Sequence, residues 1–178
     1  MRTLRFPIVL LAFVPVILSG CFWNLEGDIF DERISPSQPR VTLSAEQASP
    51  GEFVTATTTV TVNVGRKAVP RSQNVEFGFC FRFEGDGESS CHFPSNSDVE
   101  FELPENLRLG EGQTLSIART LDLEPNDVIE LSHTVSLTSD EAAVITVSNL
   151  YVAFEPESGV IVERFGILPE AGPVLTFE

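Results

Sequence analysis

Residues 54–64 read Val-Thr-Ala-Thr-Thr-Thr-Val-Thr-Val-Asn-Val, and their order settles the class of fold. Val54, Ala56, Thr58, Val60, Val62 and Val64 share one parity, while Thr55, Thr57, Thr59, Thr61 and Asn63 share the other. Side chains of an extended chain alternate between two faces, so this stretch sets an apolar row against a hydroxyl-bearing one. β-Branched residues fill both rows, and they suit a pleated strand better than a helix. The pattern predicts one long strand with an inward and an outward face.

The next run repeats this logic with larger side chains. Val75, Phe77, Phe79, Phe81 and Phe83 alternate with Asn74, Glu76, Gly78, Cys80 and Arg82, which is the strongest core signal in the chain. Shorter copies follow at Val99, Phe101 and Leu103, then at Leu115, Ile117, Leu121 and Leu123, then at Ile129, Leu131, Val135 and Leu137. Around Ser148 and Asn149 the apolar phase shifts from Ile145 and Val147 to Leu150, Val152 and Phe154, which predicts a β-bulge. Val160 and Val162, then Val174 and Phe177, are candidates for closing strands. Turn signals separate these runs: Ser49-Pro50-Gly51, Gly85-Asp86-Gly87, Leu109-Gly110-Glu111-Gly112 and Glu124-Pro125-Asn126-Asp127. After the first twenty residues no segment carries an apolar stripe of helical period. Many short strands with frequent turns predict an all-β, antiparallel sandwich over residues 40–178.

Two segments strengthen that reading by likeness. Val41-Thr42-Leu43-Ser44, Ser49-Pro50-Gly51-Glu52 and Val60-Thr61-Val62-Asn63-Val64 resemble the opening strands of bacterial immunoglobulin-like domains of the CARDB and fibronectin type III kind. Leu107 to Leu121 is similar to a later turn and strand of the same domains. The resemblance covers about half of the body and implies an immunoglobulin-like sandwich. It implies no particular activity, because this architecture hosts many unrelated ones.

The N-terminus carries an address. Arg2 and Arg5 precede an uncharged apolar stretch, Phe6 to Leu18, interrupted by Pro7 and Pro15. A bilayer-spanning helix needs roughly 20 apolar residues, so this stretch fits a signal peptide better. The alternative is a short anchor helix that stays attached. Leu18-Ser19-Gly20-Cys21 resembles the lipobox of bacterial lipoproteins. That resemblance implies removal of residues 1–20, a diacylglyceryl group on the Cys21 sulfur, and a membrane-anchored location outside the cytoplasm. Arg2 and Arg5 are separated by two residues, unlike a twin-arginine signal. Residues 21–39 then read as a lipidated terminus and a flexible tether, since 24–39 mix acids, Ser and Pro without periodicity.

Charge narrows the partners. The formal net charge is −15, and loss of Arg2 and Arg5 with the signal would deepen it to −17. So acidic a surface repels phosphate backbones, which argues against a nucleic-acid partner. The expected partners are the membrane, through Cys21, and another envelope protein or a polysaccharide.

The three cysteines divide as one plus two. With Cys21 lipidated, Cys80 and Cys91 form an even pair in an oxidising compartment. If Glu84 to Gly87 make a four-residue loop, Cys80 lies opposite Cys91, within disulfide reach. Closing so short a loop stabilises by roughly 3 kcal/mol in the chain-entropy model. Cys80 lies out of phase with the phenylalanines, so the bridge is expected on the outer side of the sheet. Two free buried thiols are the alternative.

Chemistry is sparse. His133 shares the parity of Ile129, Leu131, Val135 and Leu137, which predicts a core or interface histidine. His92 precedes Phe93-Pro94 with no evident partner. There is no nucleophile elbow, paired-His zinc motif or phosphate-cradling loop, so no enzyme activity and no cofactor are expected. Acids gather at Glu84, Asp86 and Glu88, and at Asp98, Glu100 and Glu102. The third cluster, Asp122, Glu124, Asn126 and Asp127 across a turn, is a weak calcium candidate set against a solvated acidic face. The expected function is a lipid-anchored, non-catalytic binding or scaffolding module. A calcium-dependent adhesion or carbohydrate-binding module is the alternative, and a carboxylate-based hydrolase stands behind both.

If Cys80 and Cys91 are paired, the denatured exported chain takes up no maleimide at either residue before reduction and two equivalents after it. Labelling of either cysteine without reductant, read by mass spectrometry, contradicts the pairing.

Overall fold

The computed structural model describes residues 33–37, 39–84, 101, 103–157, 159, 161–166 and 171–178. They form two facing β-sheets and no helix longer than a single turn. The first sheet holds β1 (Ile34–Pro36), β2 (Arg40–Leu43), β4 (Val54–Val64), β8 (Val128–Ser139) and β6 (Leu107–Leu109). The second holds β3 (Gln47–Ala48), β5 (Arg71–Phe83), β7 (Ser116–Leu123), β9 (Ala143–Phe154), β10 (Ile161–Gly166) and β11 (Val174–Phe177). All pairings are antiparallel except that of β11 with β3. The chain is thus the all-β sandwich that its alternation predicts.

Each sheet is built on one long pair. In the first, Val54–Asn63 of β4 runs against Val128–Leu137 of β8. In the second, Asn74–Phe83 of β5 runs against Ile145–Phe154 of β9. The far edges of β4 and β9 are each shared by two short strands. β2 covers Ala56–Thr59 and β1 covers Val62–Val64. β11 covers Ala143–Thr146 and β10 covers Leu150–Phe154. The gaps are closed without a regular strand: Ser37 N–H donates to the Thr61 carbonyl at 2.6 Å, and Val147 N–H to the Pro173 carbonyl at 2.9 Å.

The inward rows meet between the layers as expected. Val54, Ala56, Val60, Val62 and Val64 from β4 oppose Val75, Phe77, Phe79 and Phe81 from β5, all buried. Each such side chain contributes about 1.5–3 kcal/mol by leaving water. Gly78 permits a close approach of neighbouring backbone: a Cβ there would strike the Leu115 carbonyl and Ser116. Phe79 N–H donates to that same carbonyl at 3.0 Å, pinning the start of β7 against β5.

A polar layer divides this core in two. Thr58 on β4 is fully buried and sits opposite His133 of β8. Across the sandwich, the Asn149 amide of β9 donates to Thr58 Oγ1. His133 Nε2 donates to the Thr114 carbonyl at 2.7 Å, and its ring contacts Phe77 and Phe79. The apolar cluster around Phe79, Phe81, Val135 and Leu137 lies on one side of this layer. The cluster around Val60, Val62, Phe77 and Tyr151 lies on the other.

Two expectations need correction. Residues 34–36, read as tether, are a strand of the sheet: Ile34, Ser35 and Pro36 pair with Val64, Asn63 and Val62. Three residues show no period, and main-chain hydrogen bonds to an edge need none. The bulge expected at Ser148 and Asn149 is absent, for β9 pairs with β5 in unbroken register through both residues. Ile145, Val147, Asn149, Tyr151 and Ala153 keep one inward phase. Leu150 and Val152 point the other way and are buried with Cys80 in a third cluster, flanked by Phe101, Phe154 and Ile161. Both faces of β9 are covered there, so its sequence is apolar in both phases, which imitates a phase flip. The register shift falls instead in β10, between Ile161 and Glu163. Of the strand expected around Val99–Leu103, Val99, Glu100 and Glu102 lie outside the described residues, and Phe101 forms a bridge.

Because Asn149 and Thr58 satisfy each other inside the core, Asn149→Ala is expected to cost about 1–3 kcal/mol by leaving the hydroxyl without this partner. Adding Thr58→Val should cost less in that background than in the native one, a coupling measurable by a double-mutant cycle in urea. Strict additivity would show that the pair does not act as a unit.

Candidate functional site

At the end of the sandwich where β4 finishes and β5 begins, the β5–β9 ladder stops at the pair Asn74 and Phe154. β5 continues back to Arg71 beside β7 alone. The β9–β10 connection turns away, and a hollow of about 490 Å³ opens between them. Arg71, Ser72 and Gln73 line one side, and Phe154, Glu155 and Glu157 the other. A second hollow of about 470 Å³ shares Phe154 and is bounded by Asn74, Glu76, Arg119 and Thr120.

Alternation positions these side chains. Ser72, Asn74 and Glu76 occupy the outward phase of β5, and each is bonded to β7. Ser72 Oγ donates to Asp122 Oδ1 at 2.6 Å, Thr120 Oγ1 to Asn74 Oδ1 at 2.8 Å, and Ser116 Oγ to Glu76 Oε1 at 2.6 Å. Cross-strand pairs of this kind hold the outer face in one rotameric arrangement. The result is a ladder of hydrogen-bonding groups beside an apolar wall, Phe154.

The inward phase of the same strand is less settled. Gln73 is 3% exposed, and its Oε1 has no hydrogen-bond partner among the described residues. The hydroxyl of Tyr151, 1% exposed, has none either. Burial pushes the Tyr151 phenol well above its ordinary range; the Glu163 carboxylate adds to this and the Arg71 charge opposes it. Burial likewise raises the Glu163 carboxyl above the usual glutamate range, again opposed by Arg71. Buried polar atoms are nearly always paired, so these two are unusual; Thr138 Oγ1 is a third among the described residues.

A larger hollow, about 670 Å³, lies where β1 passes into β2, between Arg40, Thr59, Glu130 and Pro173. Its backbone is already served: besides the bond from Ser37 N–H, Thr61 N–H donates to Ser37 Oγ at 3.1 Å.

The residues singled out from sequence fall elsewhere. Cys21, Cys91, His92, Asp86, Glu88, Asp98, Glu100 and Glu102 lie outside the described residues. Cys80 is fully buried on the outer side of the second sheet, opposite in phase to Phe79 and Phe81. His133 is half-buried and bonded to a carbonyl. The calcium candidates are engaged in building their turn. Asn126 takes a positive φ of 71° after Pro125, as the third residue of a type II turn requires. Asp127 Oδ2 accepts from Glu124 N–H at 2.9 Å, while Asn126 N–H and the Asp127 carbonyl both bond Val64. Asp122 accepts from Ser72. No group of three His, Cys, Asp or Glu stands ready for a metal ion among the described residues. Gln73 and Tyr151 escaped the sequence reading. The available signal was a polar Gln73 in phase with Val75 and Phe77.

No family model matches the chain, and no curated protein does. Among solved structures, AvmM, which catalyses macrocyclization in alchivemycin A biosynthesis, is 12% identical with a TM-score of 0.32, over 82% of this chain and 89% of its own. The seventh PapD-like (ASH) domain of human CEP192 is 12% identical with a TM-score of 0.30, over 78% and 85%. Likenesses this slight carry no argument about function.

A carboxyl whose folded pKa is raised favours the folded state most below its unfolded value, about 4.3 for glutamate. That contribution is lost as pH rises through the folded value. Glu163→Gln is therefore expected to melt above the native protein at pH 7, with the gain shrinking as pH falls toward 4. A lower melting temperature for the variant at pH 7 contradicts the assigned burial cost.

Proposed function

We propose that this chain is a lipid-anchored protein of the bacterial cell envelope whose β-sandwich serves as a non-catalytic binding or scaffolding module. The observation that carries the first half is Leu18-Ser19-Gly20-Cys21 behind a charged and then apolar N-terminus. Several acyl chains on one sulfur, each methylene contributing about 0.8 kcal/mol on burial, would hold the body at a membrane surface. On this reading Cys80 and Cys91 form a disulfide outside the cytoplasm.

The second half is supported by the kind of surface the body offers. Its hollows are lined by side chains that donate and accept hydrogen bonds. The one described histidine, His133, is held by the Thr114 carbonyl. The expected partner is another envelope protein or a polysaccharide, met outside the cytoplasm.

The anchor is tested by Cys21→Ala expressed in a bacterial host with labelled palmitate. The native chain should take up label and yield a mature form beginning at Cys21. The variant should remain an unlabelled precursor. Equal labelling of both, or a mature terminus elsewhere without acyl mass, would sink the proposal.

A further inference from the structure

We infer that the outer edge of β8 joins two copies of this chain, running antiparallel, into one continuous sheet. The first observation is which main-chain groups face that edge. Val64 N–H donates to the Asp127 carbonyl, and Gly110 N–H to the Ser136 carbonyl. In an antiparallel ladder the main chain turns to one side and then the other, so the odd-numbered residues of β8 face β4 and the even-numbered ones face outward. β6 pairs with Leu137, Thr138 and Ser139, and the Gln113 side-chain carbonyl accepts from Ser136 N–H at 2.6 Å. Among the described residues no strand lies beside Val128, Glu130, Ser132 or Thr134, and all four are exposed.

The second is the absence of protection at this edge. An open edge is a template for a further strand, and folded chains blunt it with brevity, proline, bulges or charges in the inward row. The other edges among the described residues carry such devices. β1, β3 and β6 have two or three residues and β2 has four. β10 has a register shift between Ile161 and Glu163. β7 holds an exposed Arg119 in the row of Ile117, Leu121 and Leu123. Val128–Thr134 has no proline and no register shift, and its one formal charge, Glu130, lies in the exposed row.

The third is that the edge complements itself. Turned about a two-fold axis through Leu131, it sets Glu130 against Ser132 of the second copy and Val128 against Thr134 of the second copy. Even-numbered residues then meet even-numbered ones, so each outward N–H finds a carbonyl. No carboxylate faces another, which matters in a chain of net charge −15. An axis through Glu130 would oppose two carboxylates, so charge selects the register. Val128, 69% exposed in the single chain, becomes covered. A contact of this symmetry closes at two copies and leaves no further edge of β8 to extend.

The test is sedimentation equilibrium of the purified full chain in density-matched detergent, with amide hydrogen exchange followed at low and high concentration. A monomer–dimer equilibrium in the micromolar range is expected, as suits a contact smaller than a standard protein interface. Exchange at Val128, Glu130, Ser132 and Thr134 should slow as the dimer forms. Ser132→Pro removes an outward N–H that the single chain leaves unused, a change that strand edges tolerate. It should weaken the dimer about tenfold or more, with the melting temperature of the dilute chain close to native. Val128→Lys, at an already exposed position, should weaken it similarly and keeps the test decisive if the proline variant folds poorly. Ala118→Pro, on the open edge of β7, should leave the dimer intact. A chain that stays monomeric at millimolar concentration, or a dimer that survives Val128→Lys unchanged, overturns the inference. So does a dimer lost in Ala118→Pro, and none of these outcomes bears on the anchor.

Discussion

Asn74–Phe83 of β5 pairs with Ile145–Phe154 of β9 over their whole length, and the rest of the molecule is arranged around that ladder. The two strands bring Phe77, Phe79 and Phe81 to one face beside Val147 and Tyr151. On the opposite face they bring Cys80 beside Leu150 and Val152. Backbone hydrogen bonds contribute modestly one by one, but a ladder of this length fixes the register of every side chain it carries. The candidate site is a consequence of where it ends. Beyond Asn74 and Phe154 the partners separate, β5 stays with β7, and the space between them is the first hollow.

The second constraint is directional. Apolar contacts alone would let the two layers slide, because burial has no preferred geometry. Asn149 reaching Thr58, and His133 reaching the Thr114 carbonyl, give the layers fixed points of attachment at mid-height. Buried polar groups with satisfied partners add specificity in this way, and they tolerate little displacement. The contrast with Gln73 and Tyr151 is informative. Within one interior, the mid-height polar groups have partners, whereas Gln73 Oε1, Tyr151 Oη and Thr138 Oγ1 have none among the described residues.

The first described strand enters the sandwich beside the candidate site. Ile34 pairs with Val64, so the chain enters the sandwich at the end where Arg71 begins β5 and the hollows open. The acidic turn at Glu124–Asp127 lies at this end as well, its carboxylate and amides committed to the turn and to Val64.

Local alternation by itself determined the class of fold, the inward rows of β4, β5 and β8, and the turns at Ser49-Pro50-Gly51 and Glu124–Asp127. These depend on period two and on turn chemistry, which are written in neighbouring residues. The inward phase of His133 was legible for the same reason, as was the opposition of Cys80 to the phenylalanines. Tertiary structure decided what one strand cannot record. It showed that both faces of β9 are covered, that Ile34–Pro36 borrows an edge of β4, and that Gln73 Oε1 lacks a partner among the described residues where two strands part. Each of these depends on what a distant segment does. A sequence pattern states which way a side chain points, and only the packed chain states what it meets there.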